Sequence, residues 1–270
     1  MNRQIYIITG LMGSGKSTVT NFFRLRHYDV VNMDNVAKDI IFTNSEAKVA
    51  MIRAFGKNAI NEDSTYNIDY IKSVYFDPKY DTKREDFEHV LDYLIKEIFE
   101  QKDNKYFWST EKDKVPLIIE VPSFNLNRFE RFYRNFFGNI RYVINVTTDY
   151  KTRMDRLHAR GLSDQEIEWR SRLQTDYSYP ASQPDVARFC NIDNVGTIEE
   201  LYNKVTELMQ QPDFFNEQIK EAIFHNYMNN MPRYVWENMS CNTYYSSTGC
   251  ESCPTPCANK RAKVNEVKND

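Results

Sequence analysis

Residues 5–18 read IYIITGLMGSGKST, a short apolar run that leads into a glycine-rich turn. The turn matches the pattern G-x-x-x-x-G-K-[ST] at every fixed position, with Lys16 and Ser17 as its last two residues. Glycines allow backbone bends that a Cβ would obstruct, so successive N–H groups can form an anion-binding nest where a helix begins. The stretch therefore predicts a strand, a phosphate-binding loop and a helix over residues 16–26. The alternative is a chance match in a glycine-containing turn.

The ligand predicted by this turn, residues 10–17 and called the P-loop below, is ATP with Mg²⁺. The backbone amides would surround the phosphates, Lys16 would stabilise the β- and γ-phosphate charge, and Ser17 would ligate the metal. The residues expected to contact ATP here are Gly10, Leu11, Met12, Gly13, Ser14, Gly15, Lys16, Ser17 and Thr18.

Composition and charge restrict the classes of protein to which the chain can belong. The 270 residues are 41% hydrophobic and carry a formal net charge of -3, which argues against nucleic-acid binding. The 18 Tyr and 17 Phe residues are scattered, which favours core aromatics over a base-stacking surface. No apolar stretch approaches the roughly 18–20 residues of a membrane span, and no signal-peptide pattern precedes the first apolar run. We therefore expect a cytoplasmic protein with no membrane partner.

Short β-type runs alternate with helix-like stretches over residues 1–211. Several of the runs are almost continuously apolar, as in strands that are covered on both faces. Strands that alternate with helices favour a parallel sheet with right-handed crossovers. The sequence thus predicts an α/β fold of the P-loop NTPase type, a parallel sheet flanked by helices. The predicted strands are residues 5–8, 29–32, 115–120, 140–147 and 189–192.

Helix signals divide the rest of the chain. Capping boxes, SDQE at residues 163–166 and TIEE at 197–200, predict helices that end near residues 174 and 210. A helix-like stretch over 214–228 begins a predicted helical and Cys-rich appendage, residues 212–258, and the polar tail 259–270 is expected to be disordered.

Two carboxylates follow predicted strands and would lie at the same sheet edge as the P-loop. Asp34 ends the stretch VVNMD, and Glu120 ends VPLIIE. Ligands gather at this edge, where Asp34 can accept a proton from an attacking hydroxyl or bind Mg²⁺ through water. Glu120 can bind metal-bound water or orient the acceptor. The alternatives are an N-cap role for Asp34 before a helix over residues 35–41, and a solvent-facing strand end at Glu120.

The acceptor of the phosphoryl group would lie beside residues 46–99, which are mostly helical in pattern with a turn near residues 61–66. This segment is called the acceptor region below. His89 within it is a candidate acceptor-binding residue, although an ordinary helical histidine is the simpler interpretation.

Arginines are concentrated after the fourth predicted strand. Arg153, Arg156 and Arg160 have a spacing that places them on one face of a helix, and Arg170 and Arg172 follow on the next. Guanidinium groups offset the charge that spreads over a phosphoryl group in transfer. The pattern favours an arginine-bearing lid over residues 149–176 that closes over ATP and excludes water. A solvated helix face, with Asp155 and Glu166 as ion-pair partners, is the alternative.

Asn194 follows the last predicted strand in an N-V-G turn. A turn followed by a helix start explains these residues, and the same loop can also face the adenine of ATP. Asn194 is therefore a further candidate ATP contact.

Four of the five cysteines lie close together near the C-terminus, whereas Cys190 stands apart. In a reducing compartment such a cluster favours a metal site over disulfides, and four thiolates suit a closed tetrahedral Zn²⁺ site. An iron–sulfur cluster and unliganded or redox-active thiols are the alternatives. This appendage could bind a protein partner or form oligomers. The candidate zinc ligands are Cys241, Cys250, Cys253 and Cys257.

Taken together, these residues resemble the dephospho-CoA kinase family, P-loop enzymes that perform the last step of coenzyme A synthesis. The resemblance covers about residues 3–210 and implies ATP-dependent phosphorylation of the ribose 3′-hydroxyl of dephospho-CoA. It implies that Asp34 is the catalytic aspartate and that Arg156 and Arg160 are lid arginines. The matching stretches are the GSGKST loop, VNMDNVAK at residues 31–38, PLIIE at 116–120, Arg170 with Gln174, and Asn194 with Gly196.

The chain departs from the family pattern on the acceptor side. Asn32 stands where the family has the first aspartate of D-A-D, Val90 replaces the proline of its His-Pro pair, and the D-G-x-L-x-R turn reads DSTYNI at residues 63–68. The ATP side is intact, so a deoxynucleoside or nucleoside monophosphate kinase of the same class is an alternative. A P-loop regulatory protein, in which nucleotide binding controls the Cys-rich appendage, is a second alternative.

Overall fold

The structure, a computed structural model, describes residues 4–100, 116–122, 140–174, 188–211 and 214–215. All of them lie in the first of two compact units, Met1–Lys220, and the second unit, Glu221–Asp270, falls outside the described residues. The four clustered cysteines and the predicted tail therefore also lie outside them.

Five strands confirm the predicted runs, and each strand begins and ends within two residues of its predicted bounds. The first helix is shorter than predicted because the chain turns after Arg24 and reaches His27, which has a left-handed backbone with φ 61°. The strands are β1 Ile5–Thr9, β2 Asp29–Asn32, β3 Leu117–Glu120, β4 Ile140–Thr147 and β5 Arg188–Asp193.

The helices of the described residues follow the alternation that the sequence predicts, and none of them is long and apolar enough to cross a membrane. Two short 3₁₀ turns, Lys57–Ala59 and Pro78–Tyr80, join helices of the acceptor region. The α-helices are α1 Lys16–Arg24, α2 Met33–Thr43, α3 Ser45–Phe55, α4 Ile68–Tyr75, α5 Asp81–Glu100, α6 Tyr150–His158, α7 Asp164–Arg172 and α8 Ile198–Met209.

The sheet is parallel throughout, with strand order β2-β3-β1-β4-β5. Glu120 at the end of β3 is in register with Ile8 of β1 and Asn32 of β2. The carboxyl ends of the central strands therefore meet at one edge, where the P-loop and Asp34 also lie. This arrangement confirms the predicted α/β fold of the P-loop NTPase type.

Both faces of the sheet are covered, which explains the continuous apolar character of its strands. Ile5 and Ile7 of β1 belong to a buried cluster formed with α2, α3 and α5. Because side chains alternate along a strand, Tyr6 and Ile8 point to the opposite face, and both are fully buried. Buried residues of α1 and α8 cover the sheet elsewhere: Val19, Phe22, Phe23, Leu201 and Val205.

The acceptor region is helical, as predicted, with its turn at residues 60–66. Ile60 and Tyr66 form an isolated antiparallel bridge, and Asp63 accepts hydrogen bonds from the Thr65 N–H and hydroxyl at 3.0 and 2.6 Å. Ser64 adopts φ 68° at the position where the family pattern has glycine. The turn is therefore kept although its glycine is absent, at the cost of a left-handed serine.

The compact unit extends past residue 211, where we expected the appendage to begin. Phe214 and Phe215 lie in a turn and are buried, so the predicted helix does not begin at residue 214. Their rings lie 4.8 and 5.3 Å from that of Tyr6. The break in pattern after Gln211 marks the end of α8, whereas the aromatic pair beyond it still fills the core.

Replacement of Phe214 by alanine should therefore lower the free energy of unfolding by about 3–5 kcal/mol, because it leaves a cavity beside Tyr6. Phe42 is the matched control, since it is 60% exposed, and Phe42→Ala should cost no more than about 1 kcal/mol. Urea denaturation of both variants measures the difference. Equal losses would show that Phe214 is not part of the core.

Candidate functional site

The P-loop backbone adopts conformations that only glycine accepts easily. Gly15 caps the start of α1 with φ 100°, and a Cβ there would overlap the Asn194 side-chain amide. Gly10 has φ 143°, and its Cβ would overlap the Val146 carbonyl of β4. The glycines of the motif are therefore required both by backbone angle and by close neighbours.

Two residues distant in sequence hold the P-loop from outside. Asn194, 5% exposed, donates from Nδ2 to the Ser14 carbonyl at 2.7 Å. Arg156 donates to the carbonyls of Gly13 at 3.5 Å, Ser14 at 3.4 Å and Asn194 at 3.3 Å. Both side chains bind P-loop carbonyls, and their bonds leave the N–H groups of residues 13 and 14 free of these two side chains.

Gln174 is a P-loop contact that the motif analysis did not single out as a site residue. Its Oε1 accepts a hydrogen bond from the Met12 N–H at 2.7 Å, and its Nε2 donates to the Pro122 carbonyl at 3.1 Å. The signal in the sequence that pointed to Gln174 was its match, together with Arg170, to the family pattern.

Lys16 lies inside the loop that it is predicted to serve. Its Nζ donates to the carbonyls of Gly10 at 2.7 Å and Leu11 at 3.1 Å. Burial lowers the pKa of Lys16, and the neighbouring charges of Glu120 and Asp34 oppose that shift. Two P-loop carbonyls thus hold the lysine in place, and the charges of Glu120 and Asp34 favour its protonated form.

Glu120 does not point to solvent, which excludes that alternative. It is 6% exposed, and its two oxygens accept hydrogen bonds from the hydroxyls of Ser17 at 2.9 Å and Thr20 at 2.8 Å. The carboxylate therefore ties β3 to α1. Because Ser17 donates its proton to Glu120 and is itself exposed, its oxygen lone pairs remain available to a cation.

Asp34 is not the N-cap of its helix. Asn32 performs that role, because its side chain accepts a hydrogen bond from the Asn35 N–H at 3.1 Å, and α2 begins two residues earlier than predicted. Asp34 therefore lies in the first turn with its carboxylate unused by the cap. Asp34 is exposed, yet the surrounding protein removes part of the hydration of its carboxyl group and so raises its pKa, and the charge of Glu120 raises it further.

Positive charges offset part of this shift in the Asp34 pKa. Lys38, one helical turn further on, and Lys16 both lower it. The site thus contains a carboxylate, Asp34, in electrostatic contact with the P-loop lysine, as the sequence predicts for a base beside a phosphate.

The arginines after β4 do not all share one helix. Helix α6 ends at His158, so Arg160 lies in the following turn, where its N–H donates to the Leu157 carbonyl at 3.1 Å. Arg160 remains near enough to Lys16 to lower the pKa of that lysine. Arg153 contacts the Ser171 hydroxyl at 3.4 Å and so joins α6 to α7. The spacing predicted one helix face for Arg153, Arg156 and Arg160, whereas the helix ends two residues before Arg160.

The remaining candidates are His89 and the clustered cysteines. His89 is exposed on α5. Within the described part of the chain, no group of three His, Cys, Asp or Glu side chains could hold a metal ion. The candidate zinc ligands lie outside that part: Cys241, Cys250, Cys253 and Cys257.

Gly15 and Gly161 both have a left-handed backbone, but Gly15 lies against Asn194 whereas Gly161 has open space around it, and this difference can be tested. Gly15→Ala should weaken ATP binding at least tenfold, because the new methyl group displaces the Asn194 amide from the loop. Gly161 is the control: it has φ 81° and open space around its Cα, so Gly161→Ala should cost about 1–2 kcal/mol of stability through backbone strain alone.

Calorimetric titration with ATP and thermal unfolding measure both effects. Adding Asn194→Gly to Gly15→Ala should restore part of the lost affinity, because it removes the group that the methyl overlaps. Normal ATP affinity in Gly15→Ala would contradict this account of the loop.

Comparison with known proteins identifies the family of the chain. Residues 5–200 match the family model for dephospho-CoA kinase. The dephospho-CoA kinase of Lactobacillus acidophilus is 29% identical over 208 residues, 76% of this chain and 95% of that protein. That of Shouchella clausii is 23% identical over 203 residues, 75% of this chain and 95% of that protein.

Among solved structures, TT1252 from Thermus thermophilus has a TM-score of 0.50 and 22% identity, and covers 78% of this chain and 99% of that chain. This likeness supports the α/β fold alone. Because the family model matches well over half of the residues, the chain belongs to the dephospho-CoA kinase family, whose members are ATP-dependent kinases.

Proposed function

We propose that this kinase transfers the γ-phosphoryl group of ATP to the ribose 3′-hydroxyl of dephospho-CoA. The observation that carries the proposal is that Asp34, whose carboxylate is left unused by its helix cap, interacts electrostatically with Lys16 of the P-loop. A base and a phosphate-binding lysine at one sheet edge are the parts that phosphoryl transfer to a hydroxyl requires. A cytoplasmic location, where ATP is made available, accords with this reaction.

Asp34 would accept the proton of the attacking hydroxyl. Its pKa is raised above that of an ordinary aspartate, mainly because burial removes part of its hydration, and this makes the carboxylate a stronger base. The positive charges of Lys38 and Lys16 oppose that shift.

The cationic residues would stabilise the phosphoryl group in transfer. Lys16 already faces the phosphate nest, and Arg160 lies close enough to influence it. Arg156 supports the loop carbonyls, and we propose that it holds the nest in shape and that residues 149–176 act as the lid. Asn194 would act on ATP through the same loop, from its bond to the Ser14 carbonyl.

Mg²⁺ is the metal that this site would hold with ATP. The donor set is hard oxygen, with the exposed Ser17 hydroxyl oriented by the buried Glu120 carboxylate, which suits Mg²⁺ rather than a softer metal. When bound, the ion would neutralise charge on the β- and γ-phosphates. Glu120 would thus act on the metal side of the site through Ser17, and its other expected role, to orient the acceptor, stays a prediction.

The acceptor is tested by ADP release in a coupled assay. Dephospho-CoA, nucleoside monophosphates and deoxynucleoside monophosphates are compared at equal concentration, because the departures at Asn32, Val90 and Ile68 all lie on the acceptor side. We expect dephospho-CoA to give the highest kcat/KM. Preference for a monophosphate would replace the proposal with a nucleotide kinase. Tight ATP binding without ADP release for any acceptor would favour a regulatory protein.

Asp34→Asn should lower kcat by about 10²-fold or more, because the amide cannot accept the proton. ATP affinity should stay within about threefold, since Asp34 makes no contact with the P-loop backbone in the described hydrogen bonds. Asp39→Asn, at an exposed position of α2, is the matched control and should keep normal turnover. Full activity in Asp34→Asn would exclude the role.

We also propose that the clustered cysteines hold a structural Zn²⁺ and that the appendage binds a protein partner. The support is the sequence C-x₈-C-x₂-C-x₃-C from Cys241 to Cys257, with prolines and a glycine between ligands. Metal analysis of the purified full chain should find about one zinc per chain, and Cys253→Ser with Cys257→Ser should remove it. Cys190→Ser is the control, and retention of zinc in the double variant would contradict the site.

A further inference from the structure

Gln174 makes two hydrogen bonds that join parts of the site far apart in sequence. It follows the end of α7, and its side-chain amide lies between the P-loop and the chain that leaves β3. Its Oε1 accepts from the Met12 N–H at 2.7 Å and its Nε2 donates to the Pro122 carbonyl at 3.1 Å. Because one partner is a donor and the other an acceptor, only this orientation of the amide satisfies both.

The Met12 N–H would otherwise lack a fixed direction within a loop that contains three left-handed glycine positions. Glycine-rich backbone loses more conformational entropy on ordering than other backbone does. A contact that orders the loop before the ligand arrives removes that loss from the free energy of binding.

Neighbouring residues hold the end of α7 where Gln174 needs it. Arg172 makes a two-pronged contact with the Asp81 carboxylate, at 2.6 and 2.9 Å, at the start of α5. Arg172 and Arg84 lower the pKa of Asp81 to about 2, so this carboxylate is charged at any pH at which the protein works. Arg170 lies over the ring of Phe76, 4.9 Å from its centre. These contacts fasten the last turn of α7 to the acceptor region.

We infer that Gln174 is a positioning residue that sets the shape of the P-loop through Met12, and that the Arg172–Asp81 pair keeps it in place. It touches neither of the reacting groups. It orders the P-loop in a shape that suits the phosphates before ATP binds. Through the Arg172–Asp81 pair, that shape also depends on the acceptor region. The inference rests on ATP binding by the P-loop and not on the identity of the acceptor.

The test is Gln174→Met in the full chain, a change that keeps the side-chain length and removes both hydrogen bonds. Calorimetric titration with ATP and with ADP, without any acceptor, should give a Kd raised about five- to thirtyfold. Gln210→Met, at an exposed position after the end of α8, is the matched control and should stay within twofold. Since no acceptor is present, the outcome is independent of whether dephospho-CoA is the substrate.

Arg172→Met is a second test of the same inference. Arg172 is exposed, and its replacement leaves the Asp81–Arg84 pair intact. It should raise the ATP Kd by about two- to fivefold. Combined with Gln174→Met it should add little, because both changes break the same connection to the loop. If Gln174→Met does not fold, Arg172→Met alone tests the inference.

Three results would overturn it. An unchanged ATP Kd in both variants, with a lower Tm, would make Gln174 a packing residue only. Tighter ATP binding in Gln174→Met would mean that the glutamine occupies a position that phosphate must take. If the effects of the two changes on the ATP Kd were fully additive, Arg172 would not act on the loop through Gln174. Slow hydrogen exchange of the Met12 amide in the nucleotide-free protein, lost in Gln174→Met, is the accompanying direct result that we expect.

Discussion

The carboxylate of Glu120 is the group on which the rest of the site depends. It is buried at the end of β3, where an isolated charge would be costly, and the hydroxyls of Ser17 and Thr20 satisfy it. Those bonds fix the direction in which α1 leaves the P-loop. The same charge supports the ionised form of Lys16 and raises the pKa of Asp34. One residue thus sets the helix, the cation and the base relative to one another.

The P-loop is ordered by contacts that come from three separate parts of the chain. Asn194 after β5 and Arg156 of α6 hold its carbonyl oxygens, and Gln174 after α7 holds one of its amides. Lys16 closes the loop from within. A loop ordered in this way pays less entropy when ATP binds, which is the physical advantage of keeping it rigid before the ligand arrives.

The acceptor side shows how a departure from the family pattern can leave the local structure intact. Asn32 replaces an aspartate yet caps α2 as an aspartate would, and Ser64 adopts the left-handed backbone of the glycine it replaces. These substitutions therefore preserve the framework around Asp34. The exposed Ile68, where the family has arginine, changes the chemistry offered to the acceptor. This is why acceptor choice, rather than the donor, needs an experiment.

The sequence by itself determined the strands, most of the helices and the ATP loop. Apolar periodicity, capping boxes and glycine spacing are local signals, so they can be recognised in a single sequence. It also predicted Asp34, Lys16 and the arginines after β4 as site residues from their type and position. Only the tertiary structure decided that Glu120 faces Ser17, that Asn32 rather than Asp34 caps α2, that Gln174 reaches Met12, and that Phe214 belongs to the core. The Asn32 cap is a local contact with Asn35, which competes with a cap by Asp34 that the sequence allows equally. The other three depend on contacts between residues distant in sequence, and neither spacing nor composition records which distant groups the folded chain brings together.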